Sequence, residues 1–264
     1  MAITSFIPSV WDASLIQNFY NSSKIAAVTF KPAKIEGNKV IYNTVSDISI
    51  NDYTGTVNWQ ELATTAKELI MDQKKYWAFK VDDVDAIQAA GPLTSPHVME
   101  ASNKMAQLVD TFAFKDMADN CLADNTFELE NALSPENAYD GLVDLNRSLD
   151  KNRVGQADRF IVISWDYLGM LEKDVRFTYN YKVLENGVLE GSSVNGSTIV
   201  VSNDLPENTA LAMHKSAYGF GMQLNETEAM RLESAFADGV RGLQVYGGEL
   251  IRNKALSKLT YTVE

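Results

Sequence analysis

The hydrophobic pattern of the first third of the chain predicts extended structure that is not stable alone. Residues 39–53, KVIYNTVSDISINDY, are rich in β-branched side chains, and neither face of the predicted strand is cleanly polar. Residues 64–81, TTAKELIMDQKKYWAFKV, are predicted to form the return path of the same two-stranded excursion. Because an isolated two-stranded hairpin is at best marginally stable in water, we expect its apolar faces to lie on a neighbouring body.

A long helix is predicted over residues 96–122. Ser95 is a suitable N-cap and Pro96 a suitable first helical residue. Apolar side chains recur every three or four positions, at Val98, Ala101, Met105, Leu108 and Phe112. At about 1.5 Å per residue the helix would be about 40 Å long. The acids between these positions are assigned to its solvent-facing side: Glu100, Asp110, Asp116 and Asp119.

A second helix is predicted to open at Ser134-Pro135-Glu136, with Gly155 closing the region. Its apolar positions are Ala138, Leu142, Leu145 and Leu149. The run RFIVISW, residues 159–165, is typical of a buried strand, and a helix is predicted to follow over 165–172. A shorter helical stripe over residues 10–20 sits at the terminus and needs another surface to pack on.

The last third of the chain is predicted to be rich in turns and strands. Residues 181–202 are interpreted as a loop-like region with turn signals at Asn186-Gly187 and Asn195-Gly196. Residues 230–251 alternate in polarity and predict a hairpin that turns near Asp238-Gly239.

Composition and charge narrow the class of protein. The 264 residues are 45% hydrophobic and 22% charged, which is typical of a soluble globular chain. Neither a secretory signal nor a membrane-spanning run is recognisable. Cys121 is the only cysteine and cannot form an internal disulfide, so a reducing compartment fits best, and a buried apolar role is favoured over a reactive thiol.

The net charge of −12 is concentrated in one segment. Residues 81–150 hold fourteen acidic and three basic residues, a net −11. Such a surface repels phosphate backbones, so tight nucleic-acid binding is not expected. An acidic middle beside a lysine-bearing first third also permits head-to-tail attraction between copies.

The search for chemistry is largely negative. Phosphate-binding glycine loops, a nucleophile elbow and paired metal-ligand motifs do not occur. The densest acidic group, Asp82, Asp83 and Asp85, lacks the glycine and spacing of a calcium loop, and we interpret it as the end of a strand before the next helix. His97 and His214 have no sequence reason to meet. The sequence therefore predicts no catalytic, cofactor-binding or metal-binding residue, and no enzyme.

The order of segments, rather than any one motif, carries a family resemblance. The segments are IPSVWDASLIQNFY, GNKVIYNTVSDISINDY, MDQKKYWAFKVDDVDAIQA, ADRFIVISWDYLGML and GLQVYGGELIRNKALSKL. Across nearly the whole chain this series resembles a tailed-bacteriophage major capsid protein of the Hong Kong 97 fold, an α+β fold. The resemblance implies self-assembly into an icosahedral shell that encloses a double-stranded DNA genome.

The resemblance also implies a division of the chain. Residues 1–30 would form an N-terminal arm, and 31–80 an extended loop that lies across a neighbouring subunit. Residues 81–132 would form the peripheral domain, with the long helix as its spine, and 133–228 the axial domain. Residues 229–264 would be return strands of the peripheral and axial body.

Inter-subunit contacts and partners follow from the same resemblance. The residues expected at contacts between copies are Trp11, Phe19, Tyr53, Trp59, Lys67, Lys74 and Tyr76. The expected partners are other copies in hexamers and pentamers, a portal protein and a separate scaffolding protein or none, with packaged DNA bound only weakly and no membrane. The expected location is the virion capsid, assembled in the host bacterial cytoplasm.

Two alternatives stay open at this point. The first is a cellular nanocompartment shell of the same fold that encloses a cargo enzyme. The second is a soluble acidic α+β enzyme that uses the Asp82, Asp83 and Asp85 cluster.

Overall fold

The structure is a computed structural model. It describes residues 23–30, 39–45, 52, 60, 64–82, 94–174, 188–232 and 237–263. The helices in this part are α1 (Ile25–Val28), α2 (Thr94–Asp119), α3 (Pro135–Lys151) and α4 (Trp165–Lys173). The strands are β1 (Lys39–Val45), β2 (Thr64–Ile70), β3 (Gln73–Asp82), β4 (Thr126–Glu128), β5 (Arg159–Ile163), β6 (Val188–Val194), β7 (Ser197–Val201), β8 (Thr209–His214), β9 (Tyr218–Arg231), β10 (Ala237–Leu250) and β11 (Leu256–Thr260). This mixture confirms the predicted α+β class.

The strands form three sheets. Strands β1 and β2 pair antiparallel as a hairpin, and β3, β10 and β9 form an antiparallel sheet in that order. The third sheet has the order β4-β11-β8-β5-β7-β6. Within it β4 runs parallel to β11 and β5 parallel to β7, and the other pairs are antiparallel.

The main core lies between the six-stranded sheet and helices α3 and α4. Strand β5 contributes three consecutive buried residues, Ile161, Val162 and Ile163. The predicted apolar positions of α3 are all buried: Ala138, Leu142, Leu145 and Leu149. Strand β5 and helices α3 and α4 are therefore confirmed, because their local hydrophobic patterns match their final surroundings.

The ends of α3 depend on specific backbone contacts. At its start the side-chain oxygen of Asn137 accepts the backbone N–H of Ser134 at 2.8 Å. At its end the N–H of Val154 donates to Leu149 and that of Arg153 to Asp150, and Arg153 has a positive φ of 54°. Arg153, not the predicted Gly155, therefore reverses the chain.

The long helix exists but differs from its prediction in bounds and in buried face. It begins at Thr94, so Ser95 lies inside its first turn rather than at the N-cap, and it ends at Asp119. Leu108 is exposed whereas Asp110, predicted to face solvent, is buried. Strand β10 and helix α1 both pack on α2, so its buried positions differ from those that apolar spacing predicts.

The predicted return path of the first hairpin is wrong in its second half. Among the described strands only β2 pairs with β1, and β3 leaves the hairpin to pair with β10. Trp77 and Phe79 of β3 stack at 5.6 Å, and the Phe79 ring lies 5.6 Å from that of His97 on α2. The chain between β2 and β3 has neither glycine nor proline, so the change of sheet leaves no local signal in the sequence.

Two further strand predictions need correction. The predicted loop over 181–202 contains a hairpin, β6 and β7, joined by a turn at Asn195-Gly196 where both residues have positive φ. In the last hairpin, Asp238 and Gly239 lie within β10, and the connection falls between Arg231 and Ala237. Asp238 pairs across the ladder with Arg231, so Asp238-Gly239 continues the strand and does not form a turn.

Candidate inter-subunit surface

The base of the β1–β2 hairpin lies on the three-stranded sheet at positions without side chains. Gly221 of β9 and Gly247 of β10 are direct partners in the ladder and therefore share one face. A Cβ atom added to Gly247 would lie 2.3 Å from the carbonyl oxygen of Ile70, and one added to Gly221 would lie 3.3 Å from Leu69. The two glycines therefore let the backbone of the hairpin approach the sheet closely.

Apolar contacts and a hydrogen bond from Lys67 hold the hairpin in this position. Val40, Leu69 and Met71 are buried against Val245 of β10. The Lys67 ammonium group donates a hydrogen bond of 2.8 Å to the carbonyl oxygen of Leu250, where β10 ends. The hairpin is thereby attached to the body on one side of the three-stranded sheet.

Beyond the hairpin, none of the described residues covers the same face of this sheet. Because side chains alternate along a strand, the face that carries Val245 also carries Leu243 and Arg241 of β10 and their partners on β3 and β9. Tyr76 is 80% exposed, Met230 41% and Leu243 38%. We call this uncovered area the sheet-face patch and define it by Tyr76, Ala78, Met230, Arg241 and Leu243.

The sheet-face patch has a shallow apolar groove and a basic rim. The groove has a volume of about 320 Å³ and is lined by residues of all three strands, with Ala78, Met230 and Arg241 among them. Arg241 is held by Glu228, with its Nε donating to the carboxylate at 2.7 Å. Lys74 and Lys80 are exposed on the same side of β3. An apolar surface with a charged rim is the usual composition of a protein interface.

A second candidate contact region lies where the chain enters helix α1. The Asp110 carboxylate accepts hydrogen bonds from the Ser23 hydroxyl at 2.6 Å, from the Lys24 N–H at 2.7 Å and from the Ile25 N–H at 3.2 Å. Asp110 is 1% exposed, and this burial raises its pKa to about 6 although the three hydrogen bonds oppose the shift. Asp110 thus fixes the first described residues of the chain to the middle of α2.

The residues predicted for inter-subunit contact are placed only in part. Lys67 lies on β2 within the hairpin and donates a hydrogen bond to Leu250, and Lys74 and Tyr76 lie exposed on β3. Trp11, Phe19, Tyr53 and Trp59 lie outside the described residues. The structure thus brings Lys74 and Tyr76 onto one face of one strand.

The other sequence candidates do not converge. Strand β3 ends at Asp82, as predicted, and Asp83 and Asp85 lie outside the described residues. His97 contacts Phe79, whereas His214 contacts Ser216 in a turn at the end of β8. Within the described ranges no three His, Cys, Asp or Glu side chains form a group that could hold a metal ion. No helix in those ranges is long and apolar enough to cross a membrane.

Comparison with known proteins decides the family. A sequence model described as phage capsid protein matches residues 68–259, which is most of the chain. The chain belongs to the phage capsid protein family. The resemblance to major capsid proteins of the Hong Kong 97 fold and the predicted function of a major capsid protein are thereby confirmed.

Solved structures agree on the fold of this capsid protein. A structure from Mycobacterium phage Che8 has 24% sequence identity and a TM-score of 0.67, with 85% of each chain covered. The capsid of cyanophage P-SCSP1u has 15% identity and a TM-score of 0.70 over 90% of this chain and 87% of that chain. A virus-like particle from Pyrococcus furiosus has 11% identity and a TM-score of 0.64 over 96% and 99%. The comparison with curated protein sequences gives no match.

Sequence reasoning missed the features of this capsid protein that hold its contact surfaces in place. The apolar spacing of α2 predicts Asp110 on the solvent side, because its partners Ser23 and Lys24 lie more than eighty residues before it in the sequence. Gly221 and Gly247 were not singled out. Glycines inside long alternating strands can indicate a close backbone approach, and that signal could have found them.

Proposed function

We propose that this capsid protein assembles with copies of itself into a closed icosahedral shell that encloses the double-stranded DNA genome of a tailed bacteriophage. The observation that carries the proposal is the half-covered face of the three-stranded sheet. The hairpin covers the part of that face around Val245, while Tyr76 and Leu243 stay exposed directly beside it. Exposed apolar surface of this kind in a soluble chain indicates a contact with another protein.

The division of the chain in the proposal follows the expected capsid architecture. Residues 1–30 act as the arm and 31–80 as the extended loop, which reaches a neighbouring subunit. Residues 81–132 form the peripheral domain around α2, 133–228 the axial domain, and 229–264 the return strands. Strand β9, Tyr218–Arg231, runs across the boundary at 228, so the two domains share a continuous strand.

The proposed role is structural, without a catalytic centre or a cofactor. Its partners are other copies in hexamers and pentamers, a portal protein and a separate scaffolding protein or none. Assembly takes place in the cytoplasm of the host bacterium. Packaged DNA is bound only weakly, because a chain with a net charge of −12 repels phosphate groups.

Assembly of the purified protein tests the proposal directly. We expect negative-stain microscopy to show rings, tubes or closed particles, and ultracentrifugation to show concentration-dependent association. A compact monomer at every protein and salt concentration would contradict the proposal. Recovered particles that contain a cargo enzyme and no DNA would instead support a nanocompartment shell.

A variant with a shortened hairpin tests the extended loop. Val45 and Thr64 are partners at the last described pair of the β1–β2 ladder, so Asn-Gly in place of residues 46–63 can close the hairpin with a two-residue turn. The variant retains the base of the hairpin, where Leu69 and Met71 pack on Val245 of β10. We expect a folded protein that no longer forms closed particles. Normal particles from this variant would show that residues 46–63 are not needed between subunits.

A further inference from the structure

We infer that the sheet-face patch of one copy docks on the β4 edge of a second copy of this chain. The inference rests on the proposed shell function and names the two surfaces of one of its contacts. We define the β4 edge by Leu122, Asp124, Glu128 and Glu130. Neither surface is assigned by the family match or by the similar structures.

The first step is the continuity of the sheet-face patch with a contact that the chain already makes. Val245 is buried under the chain's own hairpin, and Leu243, two positions along the same face, is exposed. Tyr76 is the ladder partner of Leu243 and is the most exposed large side chain of the patch. Within the part of the chain that the structure describes, the hairpin therefore covers only part of the face that carries Val245, Leu243 and Tyr76.

The second step is the charge around the patch. Lys74 and Lys80 flank Tyr76 on the same side of β3, and both are exposed. The Arg241 charge is balanced by Glu228. A partner that covers the patch therefore meets two lysines at its rim, and an acidic partner surface would be favoured.

The third step is the β4 edge, which has the complementary composition. Among the described strands, β4 is the last of its sheet and pairs on one side only, with β11. Glu128 and Glu130 are exposed, and Leu122, just before β4, is 37% exposed. The chain from 116 to 146 contains no lysine, arginine or histidine. The β4 edge thus offers one exposed leucine beside the exposed acidic side chains of Asp124, Glu128 and Glu130.

These two surfaces belong to different sheets of each chain, so a contact between them joins two copies head to tail. Such a heterologous contact leaves one patch and one edge free on each new dimer. Repetition of the contact closes a ring or extends a lattice, which is what a shell requires. Apolar contact at Tyr76 and Leu243 would provide affinity, and the rim charges would provide orientation and salt dependence.

Charge exchange between the two surfaces tests the inference. Lys74→Glu/Lys80→Glu makes the patch rim acidic, and Glu128→Lys/Glu130→Lys makes the β4 edge basic. Each double variant is expected to raise the critical protein concentration for assembly about tenfold or more, because like charges then face each other. A chain that carries all four substitutions restores opposite charges, and we expect its critical concentration to return to within about threefold of wild type.

A matched control separates this effect from net charge alone. Lys151→Glu/Lys173→Glu changes the net charge as much as the patch variant does, at exposed positions on α3 and α4. Its critical concentration should change less than about threefold. Far-UV circular dichroism and thermal unfolding establish that each variant is folded. If a charge-reversal variant does not fold, the neutral variant of the same surface replaces it: Lys74→Gln/Lys80→Gln for the patch, or Glu128→Gln/Glu130→Gln for the β4 edge.

The outcomes distinguish this inference from the shell function. If wild type assembles but the fourfold variant assembles no better than the double variants, the patch and the β4 edge do not meet. Unchanged assembly of both double variants would overturn the inference equally. If the patch variant assembles normally and loses binding to single-stranded DNA in a gel shift, the patch is a nucleic-acid surface. Only failure of the wild type itself to assemble would refute the shell function.

Discussion

The Ser23 hydroxyl donates a 2.6 Å hydrogen bond to the buried carboxylate of Asp110, which lies 87 residues further along the chain. The same carboxylate accepts the backbone N–H groups of Lys24 and Ile25, so it caps helix α1 from outside that helix. A cap supplied by a distant element ties the entrance of the chain to α2. The position of residues 23–25 therefore depends on Asp110.

Substitution of Asp110 by alanine should destabilise the protein by about 2 kcal/mol, because two backbone donors and one hydroxyl are then left buried without their acceptor. Chemical denaturation followed by circular dichroism measures the loss. Asp119→Ala on the same helix is the control. Asp119 is exposed and ion-paired with Lys115, so its removal should change stability by less than about 0.5 kcal/mol. Equal losses in the two variants would contradict the capping role.

Asp110 should also make stability depend on pH near 6. Burial raises its pKa to about 6, above the value of about 4 in the unfolded chain. Lys24 and Asp204 face it, and the Asp204 charge adds to the upward shift. The folded protein therefore takes up a proton between about pH 4 and 6 that the unfolded chain does not, so this contribution to stability grows as pH falls from 7 to 5.

The Asp110→Asn variant isolates that contribution, since an amide does not titrate. As pH falls from 7 to 5, Asp110 should add to the unfolding free energy of wild type. The Asp110→Asn variant should lack this added stability. Denaturation curves at half-unit pH intervals give the comparison. A wild type and a variant with parallel pH profiles would mean that Asp110 stays ionised across the range.

His214 should have the opposite pH effect. Its Nδ1 accepts the backbone N–H of Ser216 at 3.1 Å, which a protonated imidazole is not able to do. Burial and the nearby Arg252 charge lower its pKa. The folded state therefore binds fewer protons at this site than the unfolded chain, and stability is lost as pH falls below about 6.5. NMR titration of the imidazole and the pH profile of His214→Asn measure the effect, and an unperturbed or raised pKa would contradict it.

A side chain at Gly247 should displace the hairpin. In Gly247→Ala the new Cβ would meet the carbonyl oxygen of Ile70 at 2.3 Å, and the resulting rearrangement should cost about 1–3 kcal/mol. Hydrogen exchange of amides 64–70 should accelerate as the hairpin base separates from the sheet. Gly169→Ala is the control, because its Cβ meets nothing within 4 Å inside α4 and should stabilise the helix by about 0.5–1 kcal/mol. Unchanged exchange in Gly247→Ala would contradict the close approach.

Local signals in the sequence were sufficient to predict those elements whose apolar positions are the ones that become buried. Helix α3 carries a start signal at Ser134-Pro135 and an apolar stripe that ends in the core, and β5 is apolar on both faces because it is covered on both. The turn at Asn195-Gly196 follows from the ease with which these residues adopt positive φ. The α+β class and the family resemblance depend on many such segments in order, which is why they too could be reached from the sequence.

Tertiary structure decided the features that depend on partners far away in the chain. Apolar spacing predicts Asp110 on the solvent-facing side of its helix. The side chain is buried because Ser23 and Lys24 contact it. The separation of β3 from β2 is set by pairing with β10, and the close fit of the hairpin is set by Gly221 and Gly247 on two other strands. The spacing of apolar residues reports only on neighbours along the chain, not on contacts between distant segments. Whether an apolar residue such as Leu243 ends covered or exposed depends on how far the β1–β2 hairpin extends across its sheet.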